Sequence, residues 1–493
     1  MESEKYDVLV LGLGAVGSLY AYVLEKSMRC RVTALARSLY EPINFQGLTI
    51  KSKKYGEIPN WKPYRVIQSV QEANDRPYRF IINCVKCLPD VEPSPTLLEH
   101  FLKPPHEISD VPSRPDLATL VLIQNGIGIE QPLAEAFPSV HIISCVAWVC
   151  ANIKKSSSAS HRAISPFNGE TAPVTLVHGA LDQLAIGLYE GEGFVHSNSN
   201  ERHGYELGPC NGFVEGLLAN DGRPLEREAR EERLIRGQAE AQLFADIIRA
   251  GGGNATVEKY IQPKRWAKAF LNGTTSTMCA LSRAAVATLV CPQILPHTLP
   301  VVRQTMLEIM HVARALGYRE SELPVETIEE SIQLALQAHQ TKPSSSTTLP
   351  SLDRAFESVG TELARTQTAR KCNDTQTHEC DHSVGPEAFK PSMLIDLEND
   401  APMELEPIIG GILTRARSKS IETPRLELLY SLLKILQEQA ITSRATKLRI
   451  QGKDKQPQSQ GMVLIKTLVR EEERRCPRLC NSVHASESTM VRP

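Results

Sequence analysis

The hydrophobic pattern changes period partway along the chain. Up to about residue 260 it consists of short apolar runs with little polar alternation, separated by turn-forming clusters; from Gly237 onward apolar positions recur at helical spacing. Val8 to Leu11 opens the series, and the stretch Ser18 to Lys26 behind it has helical spacing. Arg31 to Ala36 reads as a second strand, followed by Phe45 to Lys51 and a later extended segment. Arg79 to Val85 and Ala118 to Ile123 lack alternation, as parallel strands buried on both faces do. Val140 to Ala151 predicts another strand, and Val174 to Tyr189 a pair, VTLVHG and LAIGLY. A helix is expected at Thr96 to Leu102 within a variable 88–118 loop, and another at Gln238 to Ala250, stopped by GGGN. Ala255 to Tyr260 is a last short strand. Pro263 then suits the first position of a helix running through PKRWAKAFLNGTTSTMCAL, and Pro424 to Ala440 forms the final helix. The fold class expected is an α/β Rossmann-type domain over 1–260, with 190–236 as an insertion, and an all-α domain over 261–440. Residues 336–388 read as a low-complexity insertion and 441–493 as a mobile tail.

Chemistry enters at the first turn. Gly12, Gly14 and Gly17 form G-x-G-x-x-G after a strand and before a helix, the setting that fingerprint requires. Gly12 permits the turn, Gly14 admits a pyrophosphate, and Gly17 brings helix and strand together. The intervening Leu13, Ala15 and Val16 complete the phosphate loop. About 20 positions past the last glycine, where an acidic residue would bind a ribose hydroxyl, stands Arg37, a residue suited to a 2′-phosphate; NADPH is therefore expected over NADH. Lys86 and Asn125 end two of the buried strands. Ligands in open α/β sheets bind beyond such strand ends, so both are candidate cofactor contacts.

On the helix after Pro263, Lys264, Lys268, Asn272 and Ser276 fall on one polar stripe among Trp266, Phe270 and Met278. A lysine and an amide between apolar faces need partners or a ligand. Further on, Ser392, Asp396, Glu404 and Glu406 punctuate an amphipathic pattern. Glu404 and Glu406 are two apart, so only one can face a site.

Composition narrows the classes. Of the 493 residues 41% are hydrophobic, and 55 basic against 57 acidic residues leave a net charge of −2, with no basic field for nucleic acid. No apolar run is long enough to span a membrane, and the charged start MESEKYDV is neither a signal nor a transit peptide, so a cytoplasmic protein is expected. The twelve cysteines follow no framework spacing. Cys84–Cys87, the Cys372, His378, Cys380, His382 group and Cys476–Cys480 with His484 match no familiar zinc module, so no metal is expected.

The pieces GLGAVG at 12–17, Arg37, CVK ending at Lys86, QNGIG at 124–128, RWAKAFLN at 265–272, SMLID at 392–396 and PMELE at 402–406 together resemble the ketopantoate reductases (2-dehydropantoate 2-reductases). The resemblance implies a Rossmann-type domain joined to a helical domain like the C-terminal one of 6-phosphogluconate dehydrogenase. It implies NADPH-dependent reduction of a 2-keto acid, ketopantoate to pantoate in pantothenate biosynthesis, by a monomer or homodimer. Lys268 would be the catalytic lysine and Glu404 the active-site acid, eight residues after Asp396 as in the family. Asn272, Ser276 and Ser392 would bind substrate. Ser276 stands where the family has a second asparagine, which leaves open another branched 2-keto acid such as 2-ketoisovalerate. A non-catalytic NADPH-binding regulator is the remaining alternative.

Overall fold

The computed structural model describes residues 5–102, 118–155, 173–191, 227–340 and 389–450. Most of the expected insertions, the cysteine and histidine groups at 372–382 and 476–484, and the tail from 451 lie outside the described residues. Residues 1–437 form one compact unit, and 438 onward a second.

Ten strands form one sheet: β1 (Tyr6–Leu11), β2 (Cys30–Leu35), β3 (Leu48–Ser52), β4 (Gly56–Trp61), β5 (Arg65–Ile67), β6 (Phe80–Asn83), β7 (Thr119–Leu122), β8 (Ile142–Lys155), β9 (Val174–Leu188) and β10 (Ala255–Val257). The order is β4-β3-β9-β8-β7-β6-β1-β2-β5, with β10 beside β9. From β5 to β8 all neighbours are parallel, in the doubly wound order, and the crossover reverses between β1 and β6. That reversal opens the crevice in which such sheets bind ligands.

The unbroken apolar run of β1 follows from its place. Val8 and Val10 face one core with Leu19, Tyr20, Val23 and Leu24 of α1 (Ala15–Lys26). Leu9 and Leu11 face the other core. After α1, α2 (Tyr40–Gln46) precedes β3. On the second face pack α3 (Ser94–Leu102), through Leu98 and Leu102, and α4 (Gln131–Ala136), through Leu133 and Ala134. Helix α5 (Arg227–Ala250) joins α1 on the first face through Phe244, Ile247 and Ile248.

From Gln262 the described residues are helical: α6 (Gln262–Gly273), α7 (Thr275–Ser282), α8 (Val286–Leu289), α9 (Leu295–Ala315), α10 (Glu326–Gln340), α11 (Ser392–Glu398), a π turn at Glu406–Gly410, α12 (Gly411–Ser418) and α13 (Pro424–Ile450). The chain thus has a Rossmann-type α/β part followed by an all-α part.

Four elements differ from expectation. VTLVHG and LAIGLY are not a pair of strands. They are one strand, β9, because the long antiparallel partner β8 pairs with it from Val174 to Leu188 and takes up the irregularity between Val149 and Ala151. The single helix expected after Pro263 breaks at Thr274, whose φ of −119° and ψ of −75° depart from regular helical values while its hydroxyl donates to the Phe270 carbonyl at 2.5 Å. Residues 227–236, read as insertion, extend α5. There Arg233 donates to the Val140 carbonyl at 3.1 Å, and its own carbonyl lies 3.1 Å from His141 Nε2. The final helix runs ten residues past Ala440, into what reads as tail.

At the first turn, Gly12 has φ +92° and a Cβ there would stand 2.9 Å from the Val85 nitrogen. At Gly17 a Cβ would collide with the Gly12 carbonyl oxygen. Gly17→Ala is expected to force α1 away from β1 and to lower stability by about 1–3 kcal/mol, as overpacking does. Urea unfolding measures it, and an unchanged midpoint would contradict the packing role.

Candidate active site

The phosphate turn sits at the carboxyl end of β1. Leu13 is buried and offers only backbone, and the side chains of Ala15 and Val16 lean on the core below α1. Gly14, by contrast, is exposed, and a Cβ built on it meets nothing within 4 Å. The first N–H groups of α1 have no side-chain cap. Open space before uncapped helical N–H groups fits a pyrophosphate. Arg37, just beyond β2, is exposed and pairs with Glu92 at 3.2 Å. Lys86 follows β6 and forms an ion pair with Asp396 of α11. Burial raises the Asp396 carboxyl to about 6 even though Lys86 opposes the shift.

The second cluster lies where α6 meets the carboxyl end of β7 and the first half of β8. Lys268 Nζ donates to Asn125 Oδ1 at 2.7 Å and to the Ala147 carbonyl at 2.5 Å. Asn125 Nδ2 in turn donates to Glu404 Oε2 at 3.3 Å, and the Cys87 N–H donates to Glu404 Oε1 at 3.0 Å. Three segments far apart in sequence therefore converge as a chain of lysine, amide and carboxyl. Burial lowers the Lys268 ammonium to about 8. The positive charge of Arg265 adds to that shift and Glu404 opposes it. Burial also raises Glu404, against the Cys87 N–H and nearby Lys86, Asn125 and Lys268. Glu406 faces elsewhere, accepting from Tyr430 at 2.7 Å and Lys434 at 2.9 Å. Of the two acids, Glu404 is thus the one at the site.

A recess opens beside this chain, lined by Asn125, Gly126, Arg265, Lys268, Asn272 and Ile408 among others. Lys268 and Asn272 reach it from one face of α6. Ser276 lies past the Thr274 break on α7 and is not part of the lining; nor is Ser392, which is exposed at the start of α11.

One group went unnoticed in the stripe reading. Arg265 is 3% exposed. Its Nε lies 2.6 Å from Glu130 Oε1 and donates to Ser144 Oγ at 2.8 Å. Its Nη1 donates to the Gln124 and Gly126 carbonyls at 2.9 and 3.1 Å. A charged residue off the polar stripe, next to the buried Trp266, was the available signal.

Two family models match the chain, ketopantoate reductase PanE/ApbA over residues 8–171 and the ketopantoate reductase PanE/ApbA C-terminal model over 260–437. An uncharacterized protein of Saccharomyces cerevisiae is 24% identical over 435 residues, 87% of this chain and 93% of that protein. A 2-dehydropantoate 2-reductase of Nostoc sp. is 22% identical over 90% of this chain and 99% of its own. Among solved structures, 2-dehydropantoate 2-reductase from Methylococcus capsulatus shares the fold with a TM-score of 0.54 at 22% identity, covering 88% of this chain and 98% of that one. A D-mandelate dehydrogenase with NADH and anilino(oxo)acetate does so at 0.53 and 16%, covering 88% and 99%. With the two models spanning both parts of the fold, the chain belongs to the ketopantoate reductase family.

Proposed function

We propose that this protein is an NADPH-dependent reductase of a 2-keto acid, with ketopantoate to pantoate, the step of pantothenate biosynthesis, as the leading substrate pair. One observation carries the reading: a lysine lowered to about 8 and held by Asn125 at the mouth of a recess beyond the sheet's strand ends. Residues 1–260 are then the cofactor-binding part and 261–440 the substrate part. When bound, the reduced nicotinamide would supply the hydride for the carbonyl carbon. The Gly12–Gly17 turn and α1 would receive the pyrophosphate, Arg37 the 2′-phosphate, and Lys86 and Asn125 the cofactor's remaining polar groups.

The chain's own residues supply the rest. Lys268, as ammonium, faces the carbonyl oxygen, stabilises the charge that develops there and donates the proton. Its lowered value brings donor and working pH together, the condition for efficient general acid catalysis. Glu404 holds Asn125, Asn125 holds the lysine, and the ammonium is thereby aimed. Asn272, which lines the recess, would hold the substrate's hydroxyl or carboxylate, with Ser276 and Ser392 further out.

Ser276, standing where the family has a second asparagine, favours a second reading in which another branched 2-keto acid is the substrate. Loss of NADPH absorbance with ketopantoate and with 2-ketoisovalerate, run beside NADH, tests both. Oxidation with ketopantoate supports the first reading, a preference for 2-ketoisovalerate the second. NADPH binding without turnover of either would leave a non-catalytic binding protein. On cofactor choice, Arg37→Ala is expected to weaken NADPH about tenfold, the scale of a lost charge-assisted hydrogen bond, and to spare NADH. Fluorescence titration reads this, and equal weakening of both would remove Arg37 from phosphate recognition.

A further inference from the structure

The Arg265 guanidinium has no counterpart in the proposed chemistry. Yet it lines the same recess as Lys268, one helical turn before it on α6. Each of its three nitrogens is engaged. Glu130 and Ser144 take Nε, the Gln124 and Gly126 carbonyls take Nη1, and the Cys145 carbonyl takes Nη2 at 3.3 Å. Glu130 is fixed as well, since Ser144 Oγ donates to it at 2.6 Å and Gln262 Nε2 at 3.0 Å. The two carbonyls held by Nη1 flank Asn125, the residue that accepts from Lys268. From the other side the turn is pinned by the π turn: the Ile127 N–H donates to the Pro407 carbonyl at 2.8 Å, and a Cβ on Gly126 (φ +112°) would overlap Pro407.

We propose that Arg265 is a positioning residue. It fixes the Gln124–Gly126 turn so that Asn125 grips Lys268, and it sets a permanent positive charge beside the ammonium. This rests on the reading of Lys268 as proton donor. A fixed cation next to an ammonium favours loss of the ammonium proton, while an anion opposes that loss. The groups facing Lys268 are Arg265 on its own helix and, across the site, Glu404 ahead of the π turn. The Lys86–Asp396 pair stands beside Glu404, whereas Glu130 is turned toward Arg265. Removing Arg265 together with Glu130 therefore moves the titration of Lys268 upward. A merely structural role would leave that midpoint where it is.

The test is competitive labelling of Lys268 with acetic anhydride across a pH series, read by mass spectrometry, with kcat against pH measured in parallel. The paired variant R265M/E130M avoids stranding a buried carboxylate, and R265Q/E130Q serves if the first does not fold. Wild type is expected to titrate near 8. The pair is expected about half a unit or more higher, as loss of a neighbouring like charge requires. R265K, which retains the charge without the planar fork, is expected to keep the wild-type midpoint and lose turnover. An unmoved midpoint in a folded paired variant overturns the proposal. Labelling needs no turnover, so a shifted midpoint in a protein that reduces no keto acid would sustain the role of Arg265 while the reductase reading fails.

Discussion

Lys268→Ala is expected to lower kcat for keto-acid reduction by at least about two orders of magnitude, the usual scale for loss of a general acid. Among the described residues the lysine has no understudy at the recess. Arg265 is the other cation in its lining, and its donors are committed to Glu130, Ser144 and backbone carbonyls. Wild-type turnover has a signature that the variant must lose. The ammonium is the active form, so the rate falls as pH rises through about 8. In Lys268→Ala the residual rate is expected to show no such limb. Lys268→Arg separates the two roles of the side chain. It retains positive charge but holds its proton at any working pH, so recovery of rate there would assign the effect to electrostatic stabilisation alone. Steady-state kinetics on the three proteins, with folding checked by circular dichroism, decides the matter. Turnover near wild type in the alanine variant removes Lys268 from the chemistry.

Much of this site was legible because periodicity and strand ends are local properties. The run before Gly12, the strand leading to Lys86 and the strand leading to Asn125 each announce their own position, and the topology brings those ends to one edge. Lys268 and Asn272 stood out because they are polar at helical spacing among Trp266, Ala269 and Phe270. The even spacing misled at Ser276, since a stripe presumes an unbroken helix and the Thr274 backbone ends it. The long strand β9 was read as two because Gly179 and the polar His178, Asp182 and Gln183 interrupt its apolar pattern. What makes that tolerable is tertiary: Ser52 Oγ meets His178 Nδ1 at 2.8 Å, and Lys54 and Tyr55 each donate to Asp182 at 2.8 Å. No window of sequence displays those partners. The same holds for Glu130, which lies 135 positions from Arg265 in a turn without periodicity.

Glu130→Ala is therefore expected to destabilise the protein by about 3–5 kcal/mol, the range for breaking a buried ion pair from one side. Both side chains are at most 2% exposed, so bulk solvent does not reach the guanidinium that loses its carboxylate. Ser144 Oγ and Gln262 Nε2 lose their acceptor as well, and each buried polar atom left without a partner adds its own desolvation cost. The effect exceeds that of any exposed pair here. Arg37–Glu92, for comparison, joins half-exposed side chains of the kind worth about 1 kcal/mol or less. The paired change E130M/R265M should cost less than Glu130→Ala, because no unpaired charge is left buried, even though the Gln124, Gly126 and Cys145 carbonyls then lose their donor. Urea unfolding of the two variants reads the difference directly. If Glu130→Ala unfolds at the wild-type midpoint, the pair does not hold the QNGIG turn, and the aim of Asn125 at Lys268 must be set by the π turn alone.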